Sequence, residues 1–160
     1  GTYLTDWYLL LAIFGLIINW LGDSLDGRLA YYRNIPRRWY GFALDIIADW
    51  IGIVLIGFGY YIYAKNGTQI VAFAFVALYG WSIIISQLRY KITNEYSIDS
   101  GFVGPTELRF IIALILIIEV LFHGSITYLA GLITIILFVI NTIDSVRLLK
   151  LGDLRDKNQD

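Results

Sequence analysis

Five runs of apolar residues constrain this chain more than any other feature. They extend from about Tyr3 to Leu21, Trp39 to Tyr63, Gln69 to Leu88, Leu108 to Phe122 and Ile126 to Ile143, the fourth being short. A helix crosses the hydrocarbon core of a bilayer with roughly 20 apolar residues. Only 16% of the chain is charged, against about 25% in ordinary globular domains. Lipid cannot satisfy open backbone groups, and these runs lack the ten-residue alternation of a membrane barrel. The expected fold is an all-α polytopic membrane protein with five visible transmembrane helices. Asn66-Gly67 and His123-Gly124-Ser125 read as tight turns, the second closing the last two spans into a hairpin.

The twelve Lys and Arg residues orient these spans. The first loop carries Arg28, Arg33, Arg37 and Arg38, and the second only Lys65. Arg89, Lys91 and Arg109 flank the third loop, the fourth has none, and Arg147, Lys150, Arg155 and Lys157 follow the last span. All but Lys65 therefore fall on one side, which the positive-inside rule assigns to the cytoplasm. The net charge of −1 gives no bulk attraction to nucleic acid. Without cysteine there is no disulfide or thiolate metal site, and a single histidine argues against a His-rich zinc site. The first apolar run has neither a basic leader nor a small-residue cleavage site, so no signal peptide is visible. The start at Gly1-Thr2, in a chain with no methionine, leads us to expect residues upstream.

Between the first two runs lies D-S-L-D-G-R-L-A-Y-Y-R-N-I-P-R-R-W-Y-G-F-A-L-D-I-I-A-D, from Asp23 to Asp49. Asp23 and Asp26 are three apart and Asp45 and Asp49 four apart, so each pair shares a helix face, with Gly41 a turn before Asp45 on the same face. An aspartate at a membrane helix centre costs about 2.5–3.5 kcal/mol on insertion scales, and four converging carboxylates repel one another. Divalent cations with hard oxygen ligands, Mg²⁺ or Mn²⁺, resolve both problems. Two metals bridged by carboxylates are the usual clamp on a phosphoryl group undergoing displacement. Gly27, Ala30 and Gly41 remove side-chain bulk, so that a phosphate or nucleotide can approach the backbone. The pattern predicts a metal-bound diphosphate pocket at the cytoplasmic membrane face. The plainer reading, aspartates at helix ends facing water, does not explain why Asp45 and Asp49 continue into an apolar helix.

These residues resemble the signature of the CDP-alcohol phosphotransferases (CDP-alcohol phosphatidyltransferases): D-x-x-D-G-x-x-A-R, about eight residues, then G-x-x-x-D-x-x-x-D. Asp23, Asp26, Gly27, Ala30, Gly41, Asp45 and Asp49 fill it in order. Tyr31 stands where the signature has arginine, and nine residues separate Tyr31 from Gly41. The resemblance implies a six-helix fold whose first helix is missing from this sequence. It implies a transferase of phospholipid biosynthesis that moves a phospho-alcohol group from a CDP-linked donor to a hydroxyl acceptor, one of the two a lipid, and releases CMP. It further implies two Mg²⁺ or Mn²⁺ ions on Asp23, Asp26, Asp45 and Asp49, with Asp49 also the general base. Asp23, Gly27, Ala30, Gly41 and Asp45 would border the nucleotide. Arg28 or Arg33 would replace the charge absent at Tyr31, or nucleotide affinity is reduced. Residues 1–146 would form the transmembrane catalytic domain and 147–160 a polar cytoplasmic tail that frays.

Candidates for contact with the acceptor are Arg37, Arg38, Arg89, Glu107 and Arg109, although headgroup anchoring or helix capping accounts for them equally. Glu119 and His123, four apart, read as a pair stabilising the hairpin, and Asp144 and Arg147 as a local pair. Gly52, Gly57 and Gly59 permit close helix packing, and with the resemblance they point to a homodimer. Three other functions compete: an inactive membrane scaffold, a divalent-cation transporter, and an Mg²⁺-dependent membrane prenyltransferase. The last places its two aspartate motifs far apart on a longer chain. The sequence leaves the donor and acceptor open.

Overall fold

The computed structural model describes residues 2–32, 38–64, 67–93 and 105–157, with the side chains of 2–6, 23, 24, 26–31, 38 and 105–107 outside the description. Five helices follow one another: α1 (Thr2–Tyr32), α2 (Arg38–Tyr63), α3 (Gln69–Thr93), α4 (Pro105–Leu121) and α5 (Ser125–Lys157). Each expected apolar run falls on its own helix, and there is no strand among the described residues. Trp39–Tyr63, Gln69–Thr93 and Ser125–Lys157 are long and apolar enough to cross a membrane. α1 is a continuous helix of 31 residues whose described apolar stretch is Trp7–Gly22. α4, the run expected to be short, has 17 residues, a rise of about 26 Å at 1.5 Å per residue. Large apolar side chains such as Trp7, Phe58, Phe73, Tyr128 and Leu149 are exposed, an outward surface suited to hydrocarbon rather than water. The chain is an all-α polytopic membrane protein.

The glycines of the two expected turns both have positive φ, Gly67 at 81° and Gly124 at 94°, while Asn66 lies outside the described residues. A side chain would be strained at either place. α4 opens on Pro105, whose missing N–H costs nothing in a first turn. α5 does not fray at Arg147 but remains helical to Lys157. Tertiary contact overrides the polar composition there. Leu148 is buried, and Arg155 Nη1 donates to the carbonyl of Lys91 at 2.9 Å and to that of Ile92. These are terminal carbonyls of α3, which have no partner within their own helix.

The chain divides into two compact units, Gly1–Ile51 with Pro105–Leu129 and Gly52–Gly104 with Ala130–Asp160. In the first, α1 packs on α4. The rings of Trp20 and Phe110 lie 6.4 Å apart, and Leu9, Leu108 and Ile112 are buried. Glu119 is 1% exposed, a costly place for a carboxylate unless its oxygens are satisfied. Oε1 accepts from the Gly124 amide at 2.8 Å, and Oε2 from Ser125 Oγ at 3.0 Å and the Ile126 amide at 2.7 Å. An acid at the end of α4 thus ties down the start of α5, where free amides and the helix dipole favour negative charge.

In the second unit α3 and α5 run parallel, since their contacts advance together along both chains. Trp81 meets Phe138 with ring centroids 6.3 Å apart. Ser82 Oγ donates to Asn141 Oδ1 at 2.7 Å, and Asn141 Nδ2 donates to the Leu78 carbonyl at 2.7 Å. Further along, Arg89 pairs with Asp144 at 3.5 Å. Of the three glycines expected to permit close packing, Gly57 does so within the chain, because a Cβ there would collide with Val76 Cγ2 of α3. Gly52 and Gly59 have nothing within 4 Å of that position. Gly57→Ala is therefore expected to destabilise by about 1–3 kcal/mol. Gly52→Ala and Gly59→Ala should leave the midpoint of thermal unfolding in detergent unchanged or slightly raised. Equal effects at all three positions would refute the close approach of α2 to α3.

Candidate active site

The acidic motif is split between two helices of the first unit. Asp23, Asp26, Gly27 and Ala30 lie on α1, which stays helical through Tyr32, and Gly41, Asp45 and Asp49 lie on α2. Asp45 and Asp49 are both partly buried, one turn apart on one side of α2. Gly41 belongs to that side and has open space where a Cβ would stand, leaving its backbone accessible to a ligand. The side chains of Asp23, Asp26, Arg28, Tyr31, Arg38 and Glu107 lie outside the description, as do residues Arg33 and Arg37 altogether.

The start of α4 joins the two halves. Arg109 Nη2 donates to Asp49 Oδ1 of α2, in an ion pair whose side chains are 11% and 14% exposed. The next residue, Phe110, meets Trp20 of α1, three positions before Asp23. One turn of α4 thus touches α2 at its last signature aspartate and α1 just ahead of its first. Short connections serve the same end, because residues 33–37 allow Tyr32 and Arg38 to be at most roughly 20 Å apart.

Arg109, expected near an acceptor, is therefore in contact with the residue expected to act as base. Their separation of sixty positions conceals that contact in the sequence. Arg89, the other acceptor candidate with a described side chain, belongs to the second unit and pairs with Asp144. Asp144 is 2% exposed. Its expected local pairing with Arg147 is present at 3.7 Å, although Arg147 itself is largely exposed. The α3–α5 pairing was missed, and only an acid and a base at the same predicted end of two spans hinted at it.

Carboxylates are the donor type that suits a hard cation. Asp45 and Asp49 offer carboxylate oxygens from one side of α2, and the guanidinium already on Asp49 marks a place that calls for positive charge. Among the described residues no three His, Cys, Asp or Glu side chains cluster. A set larger than this pair would include side chains outside the description, among which are those of Asp23, Asp26 and Glu107.

The family model for CDP-alcohol phosphatidyltransferase matches residues 2–142. This range holds the split acidic motif, the start of α4 and most of α5. Comparison with curated proteins and with solved structures finds no match. The members of this family transfer phospho-alcohol groups in phospholipid synthesis and generally depend on divalent metals. A match over nearly the whole chain, on an all-helical membrane fold with its aspartates on two adjoining helices, means that the chain belongs to the CDP-alcohol phosphatidyltransferase family.

Proposed function

We propose that the protein is an active enzyme that transfers a phospho-alcohol group from a CDP-linked donor to a hydroxyl acceptor, one of the two a lipid, and releases CMP. The carrying observation is the family match across both halves of the signature, each on a helix of the same compact unit. The acceptor oxygen attacks the phosphorus that bears the donor's alcohol and forms a new P–O bond. The bond from that phosphorus to the bridging oxygen breaks, and CMP leaves with the electron pair. Asp49 takes the hydroxyl proton on one of its carboxylate oxygens. Asp23, Asp26, Asp45 and Asp49 would hold two Mg²⁺ or Mn²⁺ ions, whose chemistry is to neutralise the diphosphate and the charge developing on the leaving oxygen.

Asp23, Gly27, Ala30, Gly41 and Asp45 border the nucleotide in this reading. Arg28 or Arg33 supplies the charge that Tyr31 cannot. Arg37, Arg38, Arg89, Glu107 and Arg109 are the candidates for recognising the acceptor. The charge asymmetry of the loops supports an active site at the cytoplasmic face of an integral membrane protein, the inner membrane if the source is bacterial. There a soluble nucleotide and a bilayer lipid can meet. Residues 1–146 serve as the catalytic domain, and 147–160 as a polar cytoplasmic extension.

Mass spectrometry of lipids from cells expressing the wild-type chain or Asp49→Asn tests this reading. A phosphodiester lipid class that accumulates only with the wild type is the expected result, and its headgroup identifies the acceptor. Identical lipid profiles at equal expression would count against an active transferase.

A further inference from the structure

We infer that Arg109 is the resting counter-ion of the metal site: it neutralises Asp49 while no divalent cation is bound and gives up that carboxylate when one enters. The inference rests on the reading of the four aspartates as metal ligands. Both partners are largely buried, and the contact bridges α4 and α2 across sixty residues of sequence. A carboxylate removed from water needs positive charge beside it. At Asp49 Oδ1 that charge comes from a guanidinium, and a divalent cation brought to the same carboxylate is repelled by it at close range, so each weakens the other's hold.

Arginine and metal therefore compete for one site. Any stabilisation that the pair gives the metal-free protein is lost when metal binds, so Arg109 lowers metal affinity. Linkage makes this reciprocal. Loading the metal releases Arg109 from Asp49, and so couples metal occupancy to the moment at which Arg109 can turn toward an anionic group. The pair also keeps the empty site from standing as exposed, mutually repelling carboxylates in a membrane helix.

Mn²⁺ titration of the full-length protein in detergent, without substrate and with free Mn²⁺ read by electron paramagnetic resonance, tests the inference. Arg109→Gln is expected to bind Mn²⁺ tighter than wild type by about tenfold, within the usual range of such couplings. Its metal-free unfolding midpoint should fall, and the rise on adding Mn²⁺ should exceed that of wild type. Equal or weaker binding by this variant, with wild type binding normally, overturns the counter-ion role and leaves the proposed function standing. Failure of wild type to bind Mn²⁺ overturns both. If Arg109→Gln does not fold, Arg109→Met decides, since it keeps much of the apolar stem and removes the charge. This variant is expected to tighten Mn²⁺ binding by a similar factor, and an unchanged Kd overturns the inference.

Discussion

Asp49→Asn is expected to lower CMP release by at least about a thousandfold. A positioned general base contributes about 10²–10⁴ on its own, and the same substitution removes a ligand oxygen from the metal set. Asparagine keeps the shape and one oxygen, so Arg109 retains a hydrogen-bond acceptor where it had an ion pair. The helical signal in circular dichroism should therefore be unchanged, with the unfolding midpoint lowered modestly. That combination separates chemistry from folding. A variant that keeps more than about a tenth of wild-type turnover would remove Asp49 from both the base and ligand roles. Asp45→Asn, on the same side of α2, should lose turnover while retaining the Arg109 pair, which makes it the cleaner probe of the metal set.

The largest effect on stability is expected from Asp144. Its carboxylate is 2% exposed and lies 3.5 Å from Arg89 and 3.7 Å from Arg147. Asp144→Ala removes the carboxylate that pairs with Arg89 on a spanning helix. Breaking a buried pair from one side costs about 3–5 kcal/mol. The double variant Arg89→Leu/Asp144→Leu should be more stable than Asp144→Ala, because no uncompensated charge is left behind. Unfolding in a denaturing-detergent titration, followed by circular dichroism, measures both. Wild-type stability in Asp144→Ala would mean that the pair does not hold α3 to α5.

These two residues also show what a sequence gives away. Hydropathy is local, so the five apolar runs placed five helices, and Gly67 and Gly124 placed the two turns. Asp45 and Asp49 could be read because helical spacing alone puts them on one side. Partners of the buried charges could not be read, since Arg109 meets Asp49, and Arg89 meets Asp144, only after separate helices pack. Local rules found the (i,i+3) pairing of Asp144 with Arg147 and missed the more buried partner. At Glu119, spacing pointed to His123, four residues on. It gave no pointer to the Gly124 and Ile126 amides that bind the carboxylate, which an acid just ahead of Gly124-Ser125 could have signalled. The extension of α5 was misread because its polar composition says nothing of Arg155 docking on the last carbonyls of α3. The fourth run, expected to be short, is the shortest helix at 17 residues, whereas α1 is one continuous helix of 31.

The central claim is that a split set of aspartates carries out metal-dependent transfer from a CDP-linked donor. Its most direct test is CMP release by the purified protein in liposomes supplied with CDP-linked donors and a panel of hydroxyl acceptors. CMP is expected to appear with Mg²⁺ or Mn²⁺, to stop on chelation, and to return when metal is restored. Binding of Mn²⁺ without CMP release from any donor, by protein whose helical fold is intact, would contradict the claim and favour a scaffold or transporter.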